Sequence, residues 1–143
     1  VEQPLADDAL AAHSRLREQG IDIAVDESLA EESIETVIER EAADVVILKP
    51  MALGGPLQAI HAAATAREAG IEPVVTTTID GVVARTAAVH VAAAIPDVAA
   101  CGVATGSLLA EDLAADQVPI SDGAASVPTD GGLCGDHFDA LHQ

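Results

Sequence analysis

Positive charge is what this sequence lacks most. Its 143 residues include 6 Lys and Arg against 24 Asp and Glu, a formal net charge of −18. A surface that acidic repels phosphate, so nucleic acid is not an expected partner. Long apolar runs are missing too. Nothing approaches the roughly 20 consecutive apolar residues of a membrane helix, so no membrane partner is expected. The N-terminal stretch is neither basic, Ser-rich nor signal-like, and the expected compartment is the cytoplasm. Cysteine is limited to Cys101 and Cys134. Two cysteines outside any metal-type spacing make no disulfide framework, and both are expected as reduced thiols. The scarcest side chain that matters is lysine: five of the six cations are arginines and Lys49 stands alone. Dense carboxylates with almost no lysine fit a protein adapted to high salt, where screening mutes self-repulsion.

What is present is a core. Half the residues are hydrophobic, enough for one ordinary domain and not for a disordered chain. The opening Val1-Glu2-Gln3-Pro4-Leu5 reads as the tail of a strand entering a loop, which predicts a piece of a longer protein. Asp7 and Asp8 are placed to cap a helix over 9–19, with Gly20 behind it. Residues 21–25 form a short β-rich run. Ser28 and Glu31 have capping-box spacing, predicting a helix to about residue 43 with Ile34, Val37 and Ile38 inward. Val45-Val46-Ile47-Leu48 is an unbroken apolar strand of the kind buried in parallel sheets. A third helix is expected over 56–69, started by Pro56, and a fourth over 81–95, stopped by Pro96. Val74 and Val75 lead a strand between them. A strand near 99–104 and a short helix over 108–115 complete the regular part. Residues 117–143 read as loop with one strand at most.

Strands alternating with helices of this length predict parallel β/α units. The strand ends recur at intervals of 24, 23 and 28 residues. A (β/α)8 barrel needs roughly 250 residues, so four such units make about half of one. The competing fold, a complete small doubly wound domain, lacks a glycine-rich turn after its first strand; Gly54-Gly55 follows the third and has no dinucleotide spacing. The expected domain division is a half-barrel over 1–116 and a C-terminal loop or strand segment over 117–143.

In parallel α/β folds chemistry gathers at the C-terminal strand ends. Those ends carry Glu2, Asp26, Lys49, Thr76-Thr77 and Gly102. Two carboxylates on neighbouring strands suit Mg²⁺ (or Mn²⁺), which takes a few hard oxygen ligands and keeps waters or substrate oxygens for the rest. A lysine beside them can exchange protons with a carbon acid or stabilise an enolate. Each residue also has a plainer reading: Asp26 as a helix cap, Glu2 as a frayed terminus, Lys49 as a snorkelling surface side chain. An arginine would snorkel equally well and match the rest of the composition. The histidines (His13, His61, His90, His137, His142) show no ligand spacing, and Cys101 reads as a small core residue.

Three segments, Val1-Glu2-Gln3-Pro4-Leu5, Val25-Asp26-Glu27-Ser28 and Ile47-Leu48-Lys49-Pro50 through Gly54-Gly55, resemble successive signatures of the enolase superfamily. The likeness is to its muconate-lactonizing subgroup, which includes o-succinylbenzoate synthases, muconate and chloromuconate cycloisomerases and dipeptide epimerases. Gly131-Gly132-Leu133-Cys134-Gly135 with Asp136 is similar to that subgroup's closing glycine-leucine segment. The resemblance implies strands four to eight of an enolase-type barrel. It implies Glu2 and Asp26 as the second and third metal ligands and Lys49 as the sixth-strand lysine facing substrate. It also implies Thr76 and Thr77 at the substrate's carboxylate and Gly102 in the eighth-strand turn.

The implied chemistry is removal of the proton α to a carboxylate, with a small-molecule carboxylate as substrate. Dipeptide epimerases usually carry an acidic motif at the eighth strand, and this chain has none there. The expectation is therefore a synthase-type dehydration, with a cycloisomerase second. The first metal ligand, the second-strand lysine pair and the capping domain belong to an N-terminal half that these residues do not contain, so that half is an expected partner and the chain alone is expected to be inactive. A half-barrel with open edges is expected to self-associate as a homo-oligomer. The alternative of another class is a non-catalytic acidic assembly module.

Overall fold

The computed structural model of the chain describes residues 1–129 together with 132 and 133. Five helices and three parallel strands alternate through its first two-thirds: α1 (Leu10–Glu18), β1 (Ala24–Val25), α2 (Ser28–Glu31), α3 (Ile34–Glu39), β2 (Val45–Leu48), α4 (Pro56–Glu68), β3 (Glu72–Val75) and α5 (Val82–Ala94). The strands lie in the order β1-β2-β3. Parallel bridges extend this sheet on both sides, Glu2 with Ala24 and Thr76 with Gly102. Five strand positions thus follow one another in sequence order, each a parallel neighbour of the last, as successive staves of a (β/α)8 barrel do.

Residues two apart on a strand face the same side. Val25, Val46, Leu48 and Val75 turn toward the helices and are fully buried. Burying each such side chain contributes about 1.5–3 kcal/mol. They meet the small residues Ala59, Ala62, Ala63 and Ala66 of α4, which let that helix lie close. The opposite face carries Ala24, Val45 and Val74, all only half-buried. The start of α4 is fixed by Gly54 and Gly55, whose φ of +90° and +128° only glycine holds without strain, followed by Pro56 in the first turn.

Several expectations are corrected. Asp7 and Asp8 do not cap α1: Ala9 is the N-cap and no side chain bonds there. The single helix from Ser28 is two short ones. Glu32 is extended (φ −117°, ψ 146°), and Ser33, not Ser28, caps the second by accepting from Thr36 N at 3.2 Å. Ser28 is fully buried and bonded elsewhere, so its hydroxyl is not free to cap. Ile34 and Val37 do face the core.

The strand expected near 99–104 is reduced to the Gly102 bridge, and the helix expected over 108–115 is absent. A 3-10 turn spans Thr105–Leu108 instead. Leu108 and Leu113 are 65% and 76% exposed, so that segment has no buried apolar face to hold a helix. Its acids serve α5: Asp112 Oδ1 accepts from Val82 N at 2.9 Å, and Asp116 pairs with the buried Arg85 at 2.6 Å. The Val82 N–H, with that of Leu113, holds the Asp112 carboxyl below the usual carboxylate range. A hairpin of β4 (Ile120–Ser121) and β5 (Ala124–Ala125) follows where one strand at most was expected. The glycine-leucine segment, Cys134, His137 and His142 lie outside the described residues, Gly132 and Leu133 excepted. No helix among the described residues is long and apolar enough to cross a membrane.

Two partly or fully buried groups contribute to the pH response. Arg17 binds Asp44 through Nε (2.9 Å) and Nη2 (2.6 Å), and Asp44 also accepts from Ile23 N. The Arg17 guanidinium holds the Asp44 carboxyl down, so this clamp weakens only in strong acid, as pH falls through that lowered value. His13 is fully buried with neither ring nitrogen partnered, and burial pushes its imidazole below 6.5. The unfolded chain therefore takes the proton first, and the stability His13 contributes is present above pH ~6.5 and lost as pH falls below it. Urea unfolding at pH 7.5 and 5.5 should show the unsubstituted chain losing up to about 1.4 kcal/mol more than His13→Leu over that interval. Equal losses in the two proteins would contradict the assignment.

Candidate active site at the strand ends

The register decides which side chains can meet. Glu2 pairs with Ala24, Ala24 with Val45, Ile47 with Val74 and Thr76 with Gly102. Counting by twos from these pairs puts Glu2, Asp26, Lys49, Thr76 and Gly102 on one face, the face turned away from the helices. Glu2 lies level with Ala24, one inward residue before Asp26, so the set climbs the sheet as a staircase. That stagger is what barrel closure requires of a sheet.

Asp26 and Lys49 are brought together. Lys49 Nζ donates to Asp26 Oδ2 at 2.5 Å, and Glu27 Oε1 lies 4.0 Å from the same ammonium. The Asp26 side chain is 6% exposed and that of Lys49 20%. Asp26 is not a cap, because α2 starts from Glu27 without any side-chain cap bond. Nor does Lys49 snorkel, since its head group is spent on a buried carboxylate. A cleft of about 270 Å³ opens beside the pair, lined by Asp26, Glu27, Ile47, Lys49, Leu53 and Thr78 among others. A larger apolar cavity of about 550 Å³ lies behind α5, against Cys101 and the hairpin, away from the charged residues. Cys101 itself is half-buried against the core rather than inside it.

Glu2 is fixed in the sheet by its backbone but its side chain is exposed, and it does not line the cleft. Among the described residues no three His, Cys, Asp or Glu side chains form a group that could hold a metal ion. The chain thus supplies two carboxylates on adjacent strands.

The threonines divide their labour. Thr77 is buried; its hydroxyl is 2.8 Å from that of Thr105 and 3.3 Å from Gly102 O, which ties the end of β3 to the segment running from Gly102 into the 3-10 turn. Thr76 Oγ1, on the inner face, is shielded from solvent and has no hydrogen-bond partner. Gly102 is explained by Thr76: a Cβ there would sit 3.0 Å from Thr76 Cγ2. Its role in the site is to leave room for that side chain.

One residue beside the site was not among the expected ones. Gln3 has φ +33°, a value that costs a non-glycine residue about 1–3 kcal/mol. Its side chain reaches across to the loop after β1, accepting from Asp26 N at 2.9 Å and donating to Ser28 Oγ at 2.8 Å. Its traces in the sequence are its place directly after Glu2 and within the first of the three signature-like segments, since a single glutamine carries no periodicity.

With this geometry described, the relationships of the chain become informative. A family profile described as "Enolase C-terminal domain-like" matches residues 1–136. The o-succinylbenzoate synthase of Mycobacterium leprae is 39% identical over 123 residues, covering 84% of this chain and 35% of that protein. The chain therefore spans little over a third of the length of that curated relative. The L-Ala-D/L-Glu epimerase of Bacillus subtilis superposes with a TM-score of 0.85 at 28% identity, over 94% of this chain and 38% of that one. A muconate cycloisomerase from Pseudomonas fluorescens does so with a TM-score of 0.84 at 28% identity, over 92% and 37%. The α/β architecture is that of the C-terminal part of an enolase-type barrel, and the chain belongs to the enolase C-terminal domain-like family.

Proposed function

We propose that this chain forms the C-terminal half of the active site of an enzyme that removes the proton α to a carboxylate. The observation that carries the reading is the Asp26–Lys49 pair, 2.5 Å apart on the sheet face that also bears Glu2. An exposed lysine would need no such partner, and a structural ion pair would not need the chain's single lysine.

The described residues make no complete divalent-cation site; what they offer an ion such as Mg²⁺ or Mn²⁺ is two hard carboxylates from adjacent strands, one of them now paired with Lys49. Glu2 and Asp26 would hold it, with a further carboxylate supplied by the N-terminal half of the barrel. The chemistry such an ion supplies is charge stabilisation for an enediolate. Lys49 does the rest from this side. Asp26 and Glu27 hold its ammonium at the cleft, where it stabilises the anionic intermediate while a hydroxide leaves. Thr76, with an uncommitted hydroxyl, offers a hydrogen bond to the substrate's second carboxylate. Thr77 maintains the wall.

Dehydration of the o-succinylbenzoate-synthase type is the preferred reaction, supported by the likeness to the mycobacterial synthase. The residues from Gly102 to Ser107 contain no acid to grip a substrate amino group, which disfavours dipeptide epimerisation. Cycloisomerisation is the second reading, supported by the muconate cycloisomerase likeness; there Lys49 is secondary and a lysine of the other half delivers the proton. High salt as the working medium, a cytoplasmic setting and self-association through the half-covered sheet face complete the proposal.

In the protein that completes the barrel, Lys49→Ala should lower kcat about 10²–10⁴-fold with the fold intact by circular dichroism. Activity within tenfold of normal would refute the role. Assay against the cyclohexadiene precursor of succinylbenzoate, muconates and dipeptides separates the substrate classes. The threonines give an independent check. Thr76→Val should raise KM about tenfold with thermal stability unchanged, whereas Thr77→Val should cost about 1 kcal/mol of stability by removing a buried hydrogen bond. The reverse pattern would exchange the two assignments.

A further inference from the structure

Carboxylates cover this chain unevenly. Of the 24, none lies between Asp44 and Glu68 or between Asp80 and Asp97, and those two gaps hold almost all of α4 and the whole of α5. The two helices pack side by side. On α4, Leu57, Ile60, His61 and Ala64 are exposed and at helical spacing share one stripe. Leu57 is 77% exposed, the most of any large apolar side chain among the described residues. Charge enters this face only in the last turn of α4, as Arg67 and Glu68, because Arg85 of α5 is buried. The neighbouring α3 is unlike it, with Glu35 and Glu39 both turned to solvent.

The position of this face separates it from the open sheet. Further staves of a barrel join at the two ends of the sheet, beside Glu2 and Gly102. Helix α4 lies over the middle strands β2 and β3, so its outer stripe stays uncovered when the barrel is complete.

Charge decides what covers the stripe. A cationic partner is drawn to the acidic faces instead, and an anionic one is repelled by the molecule as a whole. A second copy, itself at −18, approaches with least repulsion where carboxylates are missing. A two-fold contact sets like on like, which an uncharged stripe tolerates and an acidic one does not. Antiparallel pairing of α4 with α4 also places Glu68 beside the N-terminus of the partner subunit's helix. That end has no side-chain cap and no acid in its first turn, so it favours a carboxylate. Two helices of 13 residues, each about 20 Å long and about 10 Å apart, give a footprint of about 400 Å². This is the small end of specific interfaces, so the contact is reversible.

We infer that the outer stripe of α4, flanked by α5, is a two-fold docking surface for a second copy of this chain, distinct from the open sheet face. Its signature is salt dependence. Raising salt from about 0.1 M to about 1 M shortens the screening length from about 10 Å to about 3 Å, which relieves the repulsion between copies and leaves apolar contact intact.

Sedimentation of the full chain over a concentration series, in about 0.1 M and about 1 M KCl, tests this. The unsubstituted chain should form dimers, with a Kd about tenfold lower at the higher salt. Leu57→Glu, on an exposed position, should raise that Kd about 100-fold with its circular dichroism unchanged. Ala64→Glu, on the same stripe, should weaken the dimer in the same direction. A chain that stays monomeric throughout overturns the inference, as does a dimer that weakens with salt. If both variants associate as the unsubstituted chain does, the copies meet through the sheet face and the docking role of α4 is wrong. The protein that completes the barrel supplies the second arm, since its sheet face is closed. Dimers there that Leu57→Glu dissolves support the inference, and a monomer, or binding of a different protein at α4, overturns the choice of occupant.

Discussion

A parallel sheet gives each strand one side chain in two to spend on each face, and neighbours in register must agree on which. Everything in this chain follows from how that constraint is used. The outward set, Val25, Val46, Leu48 and Val75, is apolar and fully buried under the helices. The inward set runs apolar through Val45, Ile47 and Val74, then becomes charged or polar at Asp26, Lys49 and Thr76. A slip of one residue in any register would bury those groups against α4 and α5 and turn valines to the open side. Registry of the sheet and assembly of the site are therefore one event.

Within that frame Asp26 is held at two points for two purposes. Gln3 holds its backbone and Lys49 its carboxylate. A nearly buried ion pair is a weak source of stability, because desolvating both charges offsets most of their attraction. Apolar residues in the same places would stabilise at least as well. The retention of charge where the fold does not need it is an argument for chemistry. The same holds for Thr76, whose shielded hydroxyl without a partner is a cost the fold carries.

What the sequence made legible was what depends on local pattern. The unbroken run 45–48 is the strand it resembles, α4 begins at Pro56, and strand-end spacing placed Asp26 and Lys49 side by side. What it concealed depends on partners far along the chain. Ser28 and Glu31 have the spacing of a capping box, yet Gln3 claims the serine from 25 residues away. Residues 108–115 have helical composition, yet Asp112 and Asp116 are drawn to Val82 and Arg85. Gly102 reads as a turn residue until Thr76 is seen to lie 3.0 Å from its missing Cβ. Glu2 is the instructive intermediate: alternation gives its face, while its side chain stays exposed and outside the cleft.

The solitary lysine has a consequence outside catalysis. Reagents that acylate or carbamylate amines find a single lysine in these 143 residues, distinguishable from the Val1 amine by peptide mass, and its nitrogen is masked by a carboxylate 2.5 Å away. Labelling is therefore slow while Asp26 faces Lys49 and faster once anything else engages that acid. The kinetics of one covalent tag, followed by mass, become a gauge of what Asp26 is doing.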